Sequence, residues 1–157
     1  DTERLLEQLL LHYKVDIFHT APNTLRCGIE GVKVDILSHR YPLVKAPQKV
    51  NNILLYSEED ILAMKLNAIS VSGQRSKDYI DVYFALQRHG ITEMISYYKT
   101  KYQQQNISHV LKSLVYFEEV NLSDWPVLLQ KKNLSWKDVS QRIEAEVFRA
   151  TRNEEIS

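Results

Sequence analysis

The chain changes its hydrophobic period twice. Over Thr2 to Tyr13 (TERLLEQLLLHY) the leucines Leu5, Leu6, Leu9 and Leu10 recur at helical spacing with Leu11 flanking, and Thr2 is placed to cap. The period then falls to two. Val15, Ile17 and Phe18 predict a short strand, Pro22-Asn23 a turn, and Thr24 to Ile29 a second strand. Glu30-Gly31 is a two-residue connection into a third strand, Val32 to Leu37 (VKVDIL). Val32, Val34 and Ile36 fall on one of its faces, with Lys33, Asp35 and Leu37 on the other. The segment from Pro42 to Asn52, which also carries Pro47, reads as a connecting loop, and Ile53 to Leu55 as a last extended piece.

From Ser57 the period is helical. Ser57 to His89 (SEEDILAMKLNAISVSGQRSKDYIDVYFALQRH) predicts two amphipathic helices joined by a short basic loop containing Gly73. Ser57 caps the first, and Glu58, Glu59 and Asp60 fill the turn where the helix dipole favours anions. Ile61, Leu62, Met64, Leu66, Ala68 and Ile69 supply its apolar face, and Lys65 is the single cation in that run. Arg75, Lys77, Asp78 and Asp81 open the second helix, which continues through Ile80, Val82, Tyr83, Phe84 and Leu86 and stops near Gly90 as a C′ residue. Thr92 to Tyr102, Val110 to Phe117 and Asp138 to Arg149 predict further helices. The last is capped by Ser135 and turns Val139, Ile143 and Val147 inward. Asn121 to Pro126 reads as a loop, and the charged tail from Thr151 is expected to fray. Trp125, Trp136 and the nine tyrosines read as packing anchors.

The pattern thus predicts an α+β chain. A small mixed or antiparallel sheet occupies the N-terminal part, residues 1–56, a helical part follows over 57–150, and 151–157 is a tail. With 157 residues, 44% of them hydrophobic, there is enough chain for one domain with a core. The 20 basic and 20 acidic residues cancel, so global charge gives no sign of a protein that coats nucleic acid. A lone cysteine, Cys27, excludes an internal disulfide and a four-cysteine zinc site. No apolar run is long enough to span a membrane and no leader opens the chain, so a soluble, cytoplasmic protein is expected. The chain starts at Asp1, without methionine and directly in a helical pattern, which leads us to expect further sequence upstream.

No glycine-rich phosphate loop, CxxC pair or HExxH is present, and the five histidines are scattered, with His12 and His19 read as surface or strand-end residues. Asp35 stands in the middle of an apolar strand. Buried there, it would need a cation, a metal or several donors to stay charged; on a solvated face it would need none. Lys65 could snorkel from a core-facing helix, and Asp78 and Asp81 could be ordinary first-turn acids. Arg75, Lys77, Lys99 and Lys101 compose either a phosphate-facing patch or solvated helix faces.

Taken together and in order, GVKVDIL, YPLV, SEEDILAMKLNAIS, RSKDYIDVYFAL, HVLKSLVYFEE, DWP and SWKDV resemble the nucleotidyltransferase family of AbiEii/AbiGii type toxins. These are the toxin halves of bacterial abortive-infection (phage-defence) and toxin–antitoxin operons. The resemblance runs from about Leu5 to about Ile143. It implies a fold similar to DNA polymerase β-type nucleotidyltransferases and a nucleoside triphosphate (NTP) held with magnesium between carboxylates on sheet strands. In that family a glycine-serine or glycine-glycine turn precedes a strand with an Asp-x-Asp pair that binds the metal. This chain has no such element, and Thr2 to Tyr13 looks like the helix that follows it, so the missing part is expected before Asp1. The chain is then either a fragment or a truncated member without its main metal ligands.

Residue by residue, the resemblance places Asp35 at the third strand carboxylate, as a metal ligand and catalytic candidate. Lys65, in the AMK segment, would contact the triphosphate, and Asp78, in the KD segment, would orient that lysine or the acceptor. Arg75 and Lys77 could touch phosphates, while Asp81 is either a further site residue or a cap or salt-bridge partner. The implied activity is transfer of a nucleotide from an NTP to a tRNA end or a protein hydroxyl, neutralised by a cognate antitoxin. The alternative is a catalytically inactive remnant that binds antitoxin, RNA or nucleotide. A purely structural domain is the third reading.

Overall fold

The structure is a computed structural model that describes residues 2–123 and 125–152. Asp124, inside the expected loop 121–126, and residues 153–157 of the expected tail lie outside the described residues. Among the described residues, after one N-terminal helix come five strands and then five helices, an α+β arrangement with antiparallel sheets. Two compact units make up the chain, Asp1–Arg40 and Tyr41–Ser157.

The first unit is a helix, α1 (Thr2–His12), and a three-stranded antiparallel meander, β1 (Val15–Ala21), β2 (Thr24–Ile29) and β3 (Val32–Leu37). Both turns follow from residue chemistry. Pro22 restricts φ, and Asn23 takes φ 61, which asparagine tolerates. Glu30 and Gly31 take φ 49 and 79, the pair of positive values that a type I′ hairpin demands. Thr2 lies within α1, and its hydroxyl donates to the Ala21 carbonyl instead of capping. The register places Leu25, Cys27 and Ile29 of the central strand opposite Ile36, Val34 and Val32. Leu25 and Cys27 are buried, and a bulge between Ile17 and His19 accommodates Phe18 in the edge strand β1. The other face is polar: Arg26 stands opposite His19 on one side and Asp35 on the other.

The second unit opens with a hairpin that the expected loop does not contain. Gln48–Val50 (β4) pairs antiparallel with Ile53–Leu55 (β5). Asn51 and Asn52, at φ 48 and 65, make another type I′ turn, since asparagine enters the left-handed region at low cost. Five helices follow: α2 (Glu58–Val71), α3 (Ser76–Ala85), α4 (Ile91–Tyr102), α5 (Ser108–Leu114) and α6 (Trp136–Arg152). Ser57 caps α2, its hydroxyl accepting from the Asp60 N–H at 3.0 Å. Ser135 caps α6 reciprocally: its hydroxyl accepts from the Asp138 N–H, and the Asp138 carboxylate accepts from the Ser135 N–H.

Gly90 corrects the sequence reading. It starts α4 as N-cap at φ −72 instead of ending the preceding helix as a C′ residue, because α3 has already closed at Ala85 with Leu86 as its cap. The fifth helix likewise stops at Leu114, short of the expected Phe117.

The core of this unit lies among its helices. α2 packs on α3, α4 and α5, and α6 packs on the same three. Leu62, Leu66 and Ile69 of α2 meet Tyr79, Val82, Met94, Ile95, Val110 and Leu114, and Val139, Ile143 and Val147 of α6 complete the cluster as expected. Each such side chain contributes about 1.5–3 kcal/mol on burial. The aromatic anchors hold in part: Tyr79 lies edge-on to Phe117 and Trp136, and Trp125 lies edge-on to Trp136, whereas Tyr13, Tyr41, Tyr56 and Tyr116 are exposed.

Candidate functional site

The elbow between α2 and α3 assembles the polar cluster. α2 ends at Val71, the Ser72 N–H bonds back to the Ala68 carbonyl, and Gly73 turns the chain at φ 63. A Cβ at Gly73 would stand 3.3 Å from the Ile69 carbonyl oxygen, so the elbow is tight as well as left-handed. Asn121 holds the far side of the turn through its N–H, which donates to the Gln74 carbonyl at 2.8 Å. The elbow folds the two helices together, and Lys65 on α2 faces the start of α3.

Arg75, Asp78 and Asp81 are spaced three apart, so they form one stripe along α3. The Lys65 ammonium donates to Asp78 Oδ1 at 2.7 Å and lies 2.6 Å from Asp81 Oδ2. Arg75 Nε lies 3.4 Å from the other Asp78 oxygen. The side chains differ sharply in exposure: Asp78 is 4% exposed, Lys65 24% and Asp81 50%. Burial acts to lower the Lys65 pKa, but hydrogen bonds to Asp78 and Asp81 outweigh it and hold the ammonium above the ordinary lysine value. Beside the cluster a cavity of about 200 Å³ is lined by Asn67, Val71, Ser72, Arg75 and Asp78 among others. Under it, Tyr79 donates to the Ser113 and Tyr116 carbonyls, and burial, with the Asp78 charge second, pushes its phenol up to about 12.

Four sequence-predicted residues therefore meet: Lys65, Arg75, Asp78 and Asp81. Lys77 is half-buried in the first turn of α3. Asp35 belongs to the first unit, on the polar sheet face, 39% exposed and 4.0 Å from Arg26. Of the two readings left open for it, the solvated face is the one observed. Among the described residues no group of three or more His, Cys, Asp or Glu side chains could hold a metal ion. Asp78 and Asp81 share a cation, Lys65.

One member of the proposed basic patch is elsewhere. Lys101 is fully buried, its ammonium donating to Asp60 Oδ1 at 2.6 Å and to the Pro42 carbonyl at 3.3 Å, with the Tyr56 ring 5.3 Å from it. A lysine with no exposed surface cannot face a phosphate in solution. Asp60 also accepts from the Val44 and Lys45 N–H groups and the Ser57 hydroxyl. Burial acts to raise its pKa, but these donors, Lys101 foremost, outweigh it and lower the carboxyl to about 2. Sequence reasoning missed this pair because its members are 41 residues apart. Their one local trace was an acid and a base on otherwise amphipathic helices.

An α+β chain with a small N-terminal meander, a helical second half and a lysine–aspartate pair at a helix elbow is the class of protein defined so far. A family model described as "Nucleotidyl transferase AbiEii toxin, Type IV TA system" matches residues 10–153. The chain belongs to this family. It is also similar to an uncharacterized protein of Aquifex aeolicus (strain VF5), 34% identical over 110 residues, which are 68% of this chain and 53% of that protein. The chain thus spans about half the length of the curated relative it matches. No solved structure matches it. No helix of the described residues is long and apolar enough to cross a membrane.

Proposed function

We propose that this polypeptide belongs to a nucleotidyltransferase toxin that moves a nucleotide from an NTP to an RNA, such as a tRNA, or to a protein acceptor, and that a cognate antitoxin restrains. The observation that carries the reading is the Lys65–Asp78 pair, held by Arg75 beside a cavity at the elbow. Transfer to a hydroxyl breaks the bond between the α-phosphorus and its bridging oxygen and releases pyrophosphate. Negative charge therefore grows on the leaving phosphates, and a preorganised cation stabilises it. Lys65 fills that role because Asp78 fixes its ammonium in direction. Arg75 braces the other Asp78 oxygen and presents its remaining guanidinium donors to a phosphate.

Magnesium enters this proposal as the ion that accompanies the triphosphate. The test is a calorimetric titration of NTPs with magnesium into the whole chain and into Lys65→Ala, followed by a radiolabel-transfer assay on RNA and protein. Saturable binding lost in Lys65→Ala, with the fold retained, supports the reading. Binding without transfer would favour a nucleotide-binding module, and no binding would remove the phosphate role of Lys65.

A further inference from the structure

We infer that Asp81 is an internal placeholder for the phosphate: its carboxylate occupies the Lys65 donor that a substrate phosphate oxygen would take, and must leave before the phosphate binds. The inference rests on the phosphate-binding reading and names how that site is regulated.

The two aspartates on Lys65 are unlike each other. Asp78 is 4% exposed and bonded on both oxygens, one to Lys65 and one facing Arg75. Asp81 is 50% exposed and reaches Lys65 from one turn further along α3. Asp78 is therefore built in, while Asp81 can rotate into water at little cost in desolvation. Its Oδ2 lies 2.6 Å from the ammonium, a distance at which a phosphate oxygen also accepts a charge-assisted hydrogen bond.

Charge makes the same point. Lys65 and Arg75 are matched by Asp78 and Asp81, so the cluster as it stands has no net charge to offer a polyanion. An ammonium has three donors; Asp78 and Asp81 take two of them, and an anion reaching for the third meets the Asp81 charge. A phosphate that approached with Asp81 in place would bring like charge against a carboxylate a hydrogen bond away. With Asp81 swung out, Lys65 and Arg75 outnumber Asp78 and the cluster becomes cationic. The resting chain thus holds its lysine oriented and charged without leaving it open to any passing anion.

The experiment uses the whole chain and inorganic tripolyphosphate without metal, titrated by calorimetry into wild type, Asp81→Asn, Lys65→Ala and the double variant. Circular dichroism and thermal melts confirm the fold of each. Removing one like charge from a half-exposed site is worth about fivefold in affinity. Asp81→Asn is therefore expected to bind about fivefold more tightly than wild type, with the gain abolished when Lys65→Ala is added. Equal or weaker binding by Asp81→Asn, with wild-type binding still dependent on Lys65, overturns the placeholder and leaves the phosphate reading standing. A gain that survives Lys65→Ala also overturns it, by showing a general charge effect. No binding by wild type or Asp81→Asn overturns both readings.

Discussion

Lys65 is more than a long side chain whose head escapes to water. It is three-quarters buried and ends on two carboxylates, one of them almost fully enclosed. Deleting its head leaves Asp78 with Arg75 as its remaining ion-pair partner, and an under-compensated buried carboxylate is costly. Lys65→Ala is expected to lose about 1–2 kcal/mol of stability, and Lys65→Ala/Asp78→Asn to recover part of it. Urea denaturation of Lys65→Ala, Asp78→Asn and the double variant measures the coupling. Additive losses would mean the pair contributes nothing to the fold. The residue types and their proximity in sequence were legible, because a short elbow brings the end of one helix near the start of the next. Their unequal exposure was not legible, since it depends on what packs over each side chain.

At the scale of elements, capping chemistry was readable. Ser57 and Ser135 cap the helices they were expected to cap, because a side-chain oxygen satisfying free N–H groups is a local interaction. Glycine was readable only in part. Gly73 and Gly90 both punctuate helical runs, yet Gly73 takes φ 63 and Gly90 φ −72. Gly73→Ala is therefore expected to cost about 1–2 kcal/mol, through positive φ and the 3.3 Å approach to the Ile69 carbonyl, whereas Gly90→Ala costs clearly less. Chemical denaturation of the two variants side by side decides it, and equal losses would refute the strain argument. Of the β4–β5 hairpin only Ile53–Leu55 is legible as an extended piece, because Gln48–Val50 and the Asn51-Asn52 turn pair sit in a stretch that reads as polar loop. Its strands are three residues each and exposed, too short to show an alternation.

At the scale of the molecule, the fully buried Asp60–Lys101 pair ties α2 to α4 and, through the Val44 and Lys45 N–H groups, pins the segment before β4. Its consequence is a dependence on acid. The Asp60 carboxyl is depressed from its ordinary value of 3.8 to about 2, so folding favours the deprotonated form. That stabilisation is fully present above about pH 4 and is lost as pH falls toward 2, amounting to about 2 kcal/mol. Tryptophan fluorescence follows it directly, since Trp125 and Trp136 both lie in the unit Tyr41–Ser157. Carbon NMR should find the Asp60 carboxyl titrating near pH 2 in the folded chain. A folded-state titration near 4 would contradict the account. Glu58 and Glu59, lowered chiefly by hydrogen bonds with Arg88 and Lys45, push in the same direction at the surface.

By itself the sequence determined the order of the strands and helices apart from β4, the apolar stripes of α2, α3 and α6, two caps, and the adjacency of Lys65 with Asp78. Each depends on periodicity or on residues a few positions apart, where backbone geometry leaves little choice. Only tertiary structure decided that Lys101 is a buried ion-pair partner, that Asp35 lies on a solvated sheet face, and that Asp81 shares the ammonium of Lys65. Those outcomes turn on which distant elements cover a side chain and which leave it in water. Burial sets both the cost of a charge and the partner it must find.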